Sequence, residues 1–216
     1  MSVPAFASVI LDVDSTLCGI EGIDWLATRR GEAVALRVKA LTDRAMAGDI
    51  ALDTVYGERL ELVRPDRAAV SALAAEYERQ LAPDARAVVA RLLVAGVRVV
   101  LVSGGIREAI LPVGAQLGIN GADVHAVPIH FNADGTYGGF NAQSPLATSN
   151  GKAVIAAQLD LPRPVLAVGD GATDLAMRGQ VDAFAAYTGF VEREAVVAQA
   201  DKVLSSFDQL AELVLG

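Results

Sequence analysis

Cysteine is all but missing from this chain of 216 residues. Cys18 stands alone, so no internal disulfide can form, and the composition suits a reducing, cytoplasmic setting. Lysine is nearly as scarce: Lys39, Lys152 and Lys202 stand against fifteen arginines, so a lysine inside a motif carries weight. Basic side chains as a whole fall short, 18 against 26 acidic ones, for a formal charge of −8. A phosphate backbone or an anionic membrane surface needs a basic face, so nucleic acid and membrane are excluded as expected partners. Long hydrophobic runs are missing too. Mean hydropathy is high, +0.40, yet the most apolar stretch, residues 92–102, is broken by Arg98 and ends in Ser103-Gly104-Gly105. A spanning helix needs ~20 uninterrupted apolar residues. The N-terminus lacks a basic region and carries Asp12 and Asp14 where a signal peptide would be apolar. No repeat, low-complexity tract or linker interrupts the chain.

What is present is a core-forming composition, 53% hydrophobic and 20% charged, at a length that suits one large domain or a core with a smaller insertion. Residues 8–13 (SVILDV) form an apolar, β-branched run ending in acid, the signature of a buried strand with a polar C-terminal end. From residue 22 to about 81 the period turns helical, through Leu36, Ala40 and Leu41, then Leu52, Val55 and Tyr56, then Val70, Leu73, Ala74 and Tyr77. Asp53 and Asp66 are expected helix starts, with Pro65 between two helices. A helix over 85–93, a strand over 97–102 and a helix over 106–117 follow. Residues 124–131 and 136–140 flank Asn132-Ala133-Asp134-Gly135 and are expected to form a hairpin. The last third alternates helix and strand. This order predicts an α/β fold, a Rossmann-like three-layer core with a parallel sheet between helices. The core is expected over 1–17 and 82–216, and 18–81 is expected to form a separate helical cap.

Ligands in open α/β sheets bind at the carboxyl ends of the strands. Three polar clusters fall at such ends: Asp12-Val13-Asp14-Ser15-Thr16, Ser103-Gly104-Gly105 and Gly169-Asp170-Gly171-Ala172-Thr173-Asp174. Lys152 opens the helix before the last of these strands. Together they offer carboxylates, a hydroxyl, glycine-freed N–H groups and one ammonium. Carboxylates suit Mg²⁺, which keeps water and substrate phosphate in its shell, and the remaining groups donate to phosphate oxygens. In a strand, Asp12 and Asp14 lie on one side, so one can attack phosphorus while the other shuttles a proton.

DVDST, SGG, the lone lysine in SNGKAVI and GDGATD, in this order, resemble the four signature motifs of the haloacid dehalogenase superfamily of phosphatases. DVDSTLCGIEGIDWLA, AMAGDIALDTVYGER and FNADGTYGGF resemble in particular its phosphoserine-hydrolysing branch. The similarity runs from Val9 to the last helix. It implies a Mg²⁺-dependent phosphomonoesterase acting on a small phosphate ester, O-phospho-L-serine first, through an aspartyl-phosphate. The implied roles are Asp12 as nucleophile and Asp14 as general acid/base. Asp12, the Asp14 backbone carbonyl and Asp170 would hold the metal, with Asp174 supporting the site. Ser103, Gly104 and Lys152 would bind phosphate, with Thr173 beside the substrate. Glu21 would take the substrate ammonium and Arg59 its carboxylate, with Met46 and Leu52 lining the pocket.

Leu52 replaces an expected phenylalanine, and Cys18, Gly19 and Ile20 are smaller and less charged than the branch's usual residues; both departures bear on selectivity. The same motifs would also serve a phosphatase or phosphotransferase for another ester, or a non-catalytic phospho-ligand sensor. His125 and His130 are read as structural or solvated, Cys18 as a small packed residue at the cap entrance and Trp25 as cap core. With the chain starting close to its first strand, no N-terminal regulatory extension is expected, and the protein is expected to be a monomer or homodimer.

Overall fold

A computed structural model describes residues 3–46 and 49–216. The chain opens with β1 (Ser8–Leu11), whose four residues are all buried. Four helices follow: α1 (Gly22–Thr28), α2 (Glu32–Met46), α3 (Leu52–Val63) and α4 (Arg67–Arg79). Next come α5 (Ala85–Val94), β2 (Arg98–Ile106), α6 (Arg107–Gln116), β3 (Val124–Val127), and the pair β4 (Ile129–Phe131) and β5 (Tyr137–Phe140). The last third is α7 (Gly151–Gln158), β6 (Val165–Gly169), α8 (Ala172–Leu175), β7 (Ala183–Tyr187), α9 (Glu194–Val197), β8 (Lys202–Leu204) and α10 (Phe207–Leu215).

Six strands form one sheet in the order β3-β2-β1-β6-β7-β8, and every pairing in it is parallel. β1 lies between β2 and β6 and has neighbours on both edges and helices on both faces. Its run of apolar residues with no alternation follows from that position. Local chemistry sets the helix ends: the Asp66 carboxylate accepts the Ala69 N–H at 2.7 Å to cap α4, and α3 ends on Arg64 in the left-handed region (φ 40°), immediately before Pro65. Among the described residues no helix is long and apolar enough to cross a membrane.

The α/β reading and the alternation of elements stand, with three local corrections. Residues 124–131 are not one hairpin strand: β3 joins the edge of the parallel sheet beside β2, Pro128 interrupts it, and only β4 pairs with β5. A proline removes the N–H that a continuous ladder needs. Ser103-Gly104-Gly105 does not follow its strand but lies within β2, at a register irregularity against β3 between Val102 and Ile106. Asp53 does not cap α3, whose N-cap is Ala51; its carboxylate instead accepts the Ser149 N–H at 2.7 Å.

The helical insertion rests on the sheet side through several contacts. α4 packs along α6, and the Arg67 N–H donates to the Gly135 carbonyl in the β4–β5 turn at 2.9 Å. The Arg67 guanidinium lies 4.6 Å over the Phe131 ring. Tyr56 on α3 meets Phe140 at 5.4 Å between ring centroids. These contacts hold α3 and α4 against α6 and the β4–β5 pair.

Candidate active site

The parallel register pairs Leu11 of β1 with Val168 of β6, and the Asp12 N–H donates to the Val168 carbonyl at 3.0 Å. Asp12 and the Gly169-Asp170 turn therefore leave the sheet side by side. Gly169 allows the next approach: a Cβ there would stand 2.1 Å from Cγ of Asp174, so the Asp174 carboxylate can lie against the backbone only because no side chain intervenes. Lys152, in the first turn of α7, reaches between them. Its Nζ is 2.6 Å from Asp12 Oδ1 and 2.7 Å from Asp174 Oδ1. All four side chains are buried. Burial acts to lower the lysine pKa, but Asp12 and Asp174 outweigh it and raise it above the usual ammonium range.

Asp12, Asp170 and Asp174 bring one carboxylate oxygen each within 4.8 Å of one another. Positive charge falls short around them. Arg193 donates from Nε to Asp170 Oδ2 at 2.9 Å, and Thr16 adds a neutral donor to Oδ1 at 3.3 Å. Burial, then the Asp174 charge, pushes the Asp12 carboxyl well up despite Lys152. The same two causes raise Asp170 to about 6 against the pull of Arg193. Asp12 Oδ1, for all its closeness to Lys152, is buried and accepts no well-directed hydrogen bond among the described residues. Three buried hard oxygen donors and a deficit of positive charge fit a divalent metal ion.

Asp14 lines the same cavity but is held by other partners. Its Oδ1 accepts the Gly22 N–H and the Tyr77 hydroxyl, each at 2.7 Å, and its Oδ2 accepts Ser103 Oγ at 3.3 Å. Burial raises its pKa although Tyr77 and Gly22 pull it down. A raised pKa is the direction that favours a general acid.

Across the cavity, the insertion contributes a second charged pair. Glu21 accepts Ser15 Oγ at 2.8 Å and is pushed up to about 8 by burial, then by the Asp14 and Asp170 charges. Arg59 is 4% exposed. Its NH2 donates to Asp24 Oδ1 at 3.1 Å, Thr42 Oγ1 donates to the same oxygen at 2.6 Å, and Arg59 Nε has no hydrogen-bond partner among the described residues. The Tyr56 hydroxyl donates to the Gly104 carbonyl at 2.7 Å.

Of the residues expected from sequence, Asp12, Asp14, Glu21, Arg59, Gly104, Lys152, Asp170, Thr173 and Asp174 line one cavity. Ser103 lies just behind its wall, fully buried, bonded to Asp14 and accepting the Gly105 N–H at 2.9 Å. The side chains of Met46 and Leu52 lie outside the described residues. Cys18 is fully buried in the core, where burial raises its thiol pKa. Trp25 packs against the core as a partly buried side chain and also borders an outer groove with Leu36, under the Arg29 guanidinium at 5.0 Å. His125 is half-buried and His130 exposed. Sequence reasoning passed over Tyr56, Tyr77, Asp24 and Arg193. The two tyrosines were visible only as members of apolar helical stripes, and the other two carried no signal.

A model of the haloacid dehalogenase-like hydrolase family matches residues 9–178. Rat phosphoserine phosphatase is 37% identical over 206 residues, covering 94% of this chain and 91% of its own. The chloroplastic phosphoserine phosphatase of Arabidopsis thaliana is 36% identical over 208 residues, covering 94% and 70% respectively. Among solved structures, a phosphoserine phosphohydrolase-like protein from Francisella tularensis superposes with a TM-score of 0.85 at 27% identity, over 95% of this chain and 98% of that one.

Proposed function

Because the chain belongs to the haloacid dehalogenase-like hydrolase family, we propose that it is a Mg²⁺-dependent phosphatase hydrolysing O-phospho-L-serine to L-serine and phosphate. The observation that carries this reading is the pairing of two sites in one cavity. An acidic, lysine-bridged cluster suits a phosphoryl group, and Glu21 with the incompletely partnered Arg59 suits an ammonium and a carboxylate. The relatives that match nearly the whole chain are phosphoserine phosphatases. Residues 18–81 act as a cap over the core formed by 1–17 and 82–216, and the protein works in the cytoplasm.

A divalent metal would be held by Asp12, the Asp14 backbone carbonyl and Asp170, with Asp174 in support. Bound there, it would supply positive charge that keeps Asp12 ionised and offsets the charge of the phosphoryl group. Asp12 attacks phosphorus, forming the acyl-phosphate bond as the bond from phosphorus to the serine oxygen breaks. Asp14 gives its proton to that oxygen. Ser103, Gly104 and Lys152 bind the phosphoryl oxygens while Thr173 flanks the substrate. Asp14, now a carboxylate, takes a proton from the water that attacks phosphorus. Phosphate leaves, and Asp12 returns as a carboxylate. Glu21 and Arg59 fix the amino-acid head group so that the ester oxygen meets Asp14.

The test is a panel of phosphate esters assayed with Mg²⁺, on wild type and Arg59→Ala. Phosphoserine should rank first. Arg59→Ala should raise its KM by ~100-fold, the scale of a lost charge-assisted pair, and change KM for phosphoethanolamine by less than about threefold. Phosphoserine among the poor substrates would refute the substrate, and phosphate release from no ester would favour a phospho-ligand sensor.

A further inference from the structure

The Asp14 carboxyl is gripped unequally. Among the described residues Oδ2 accepts from Ser103 Oγ alone, at 3.3 Å, whereas Oδ1 receives two short donors, and both come from the helical insertion: the Gly22 N–H of α1 and the Tyr77 hydroxyl of α4, each at 2.7 Å. Tyr77 is fully buried, and its hydroxyl crosses 63 positions of sequence to reach Asp14. The approach needs Gly22. A Cβ at that position would stand 2.1 Å from the Tyr77 oxygen and 3.3 Å from Asp14 Oδ1. α4 is itself braced by Asp66 at its start and by α6 along its length, so the hydroxyl is presented from a fixed support.

The χ2 torsion of an aspartate is broad and weakly held by its own covalent structure. Donors at one oxygen therefore do two things: they fix the carboxyl plane, and they leave the other oxygen to carry the proton. We propose that Tyr77 is the positioning residue for the general acid, occupying Oδ1 together with the Gly22 N–H so that the transferable proton resides on Oδ2. The inference rests on Asp14 being the acid that protonates the departing serine oxygen. It assigns a role to the insertion beyond binding the substrate head group.

Leaving-group dependence tests this. kcat/KM reports the steps through phosphoryl transfer to Asp12, where an alkoxide such as that of serine needs a proton and p-nitrophenolate does not. Tyr77→Phe should lower kcat/KM for phosphoserine about tenfold, the scale of a hydrogen bond to a charged or transferring group. For p-nitrophenyl phosphate it should change kcat/KM by less than about twofold. Gly22→Ala, which pushes the hydroxyl away, should show the same pattern, and Gly22→Ala added to Tyr77→Phe should cost less than the product of the single effects. A purely structural role would lower both esters together. Asp14→Asn serves as the control and should lower phosphoserine turnover by ~100-fold or more and the aryl ester far less. If Asp14→Asn fails to separate the two esters, the acid assignment itself falls. If Asp14→Asn separates them and Tyr77→Phe lowers both equally or neither, the role of Tyr77 is overturned on its own.

Discussion

The single ammonium between Asp12 and Asp174 puts opposing demands on the same few atoms. Lys152 is 2.6 and 2.7 Å from two carboxylates, yet burial and mutual repulsion still hold Asp12 well above the usual carboxylate range. The arrangement is unfavourable for folding and favourable for binding a cation and a phosphoryl group, the trade expected at a reactive site. Asp12→Asn should separate the two. It keeps the shape and removes the nucleophilic charge, so phosphate release should fall by at least ~1,000-fold. It also removes one of the repelling charges, so in chelator the melting temperature should rise by about 2–4 °C, the equivalent of ~1 kcal/mol in a domain of this size. Phosphate-release assays and thermal melts on the same preparation check both halves. Near-normal turnover would sink the nucleophile assignment, and a lowered melting temperature would show that Lys152 already balances the cluster.

At the scale of elements, α3 carries the connection between insertion and sheet. The Tyr56 hydroxyl donates to the Gly104 carbonyl from a buried position, and Asp53, at the surface, accepts the Ser149 N–H. A buried carbonyl stripped of its donor costs ~1–3 kcal/mol, whereas an exposed N–H finds water. Tyr56→Phe should therefore lower the melting temperature by about 3–8 °C, and Asp53→Ala by less than ~2 °C. Equal losses in paired melts would show that burial does not govern this contact. The same two residues mark where the sequence was legible and where it was not. Strands and helices could be read because period and β-branching are local, and the motif residues could be read because they sit at strand ends that the alternation of elements locates. The hydroxyls of Tyr56 and Tyr77 point at partners 48 and 63 positions away, and helical periodicity registers only that they face inward. Pro128 was the one local mark that residues 124–131 could not run as a single strand, and it stood inside an otherwise convincing hairpin pattern. Arg193 meets Asp170 only because β7 and α9 follow β6 in space, a tertiary fact with no local trace.

For the whole molecule, the scarcities of the sequence make a pH experiment unusually clean. With two histidines, one cysteine and three lysines in the chain, few groups titrate between pH 5.5 and 8. Site groups raised into this range in the metal-free protein include Asp170, at about 6, and Glu21, at about 8, burial being the first cause of each. Folded protein then holds protons that unfolded chain, with ordinary carboxyl groups, has already lost. Stability must fall as pH rises through this window. Half-buried His125 contributes with the opposite sign, because its partial burial holds its pKa down and unfolded chain binds the extra proton, so it cannot imitate the effect. A divalent cation binds the ionised cluster and repays the loss, and its contribution should grow with pH. In chelator the melting temperature should drop by about 4–8 °C between pH 5.5 and 8, corresponding to ~2 kcal/mol. Millimolar Mg²⁺ should remove most of that slope, and Glu21→Gln should flatten the metal-free curve above pH 6.5. A metal-free melting temperature that stays level across the window would mean that Lys152, Arg59 and Arg193 already neutralise the cavity, and the case for a cation completing it would be lost.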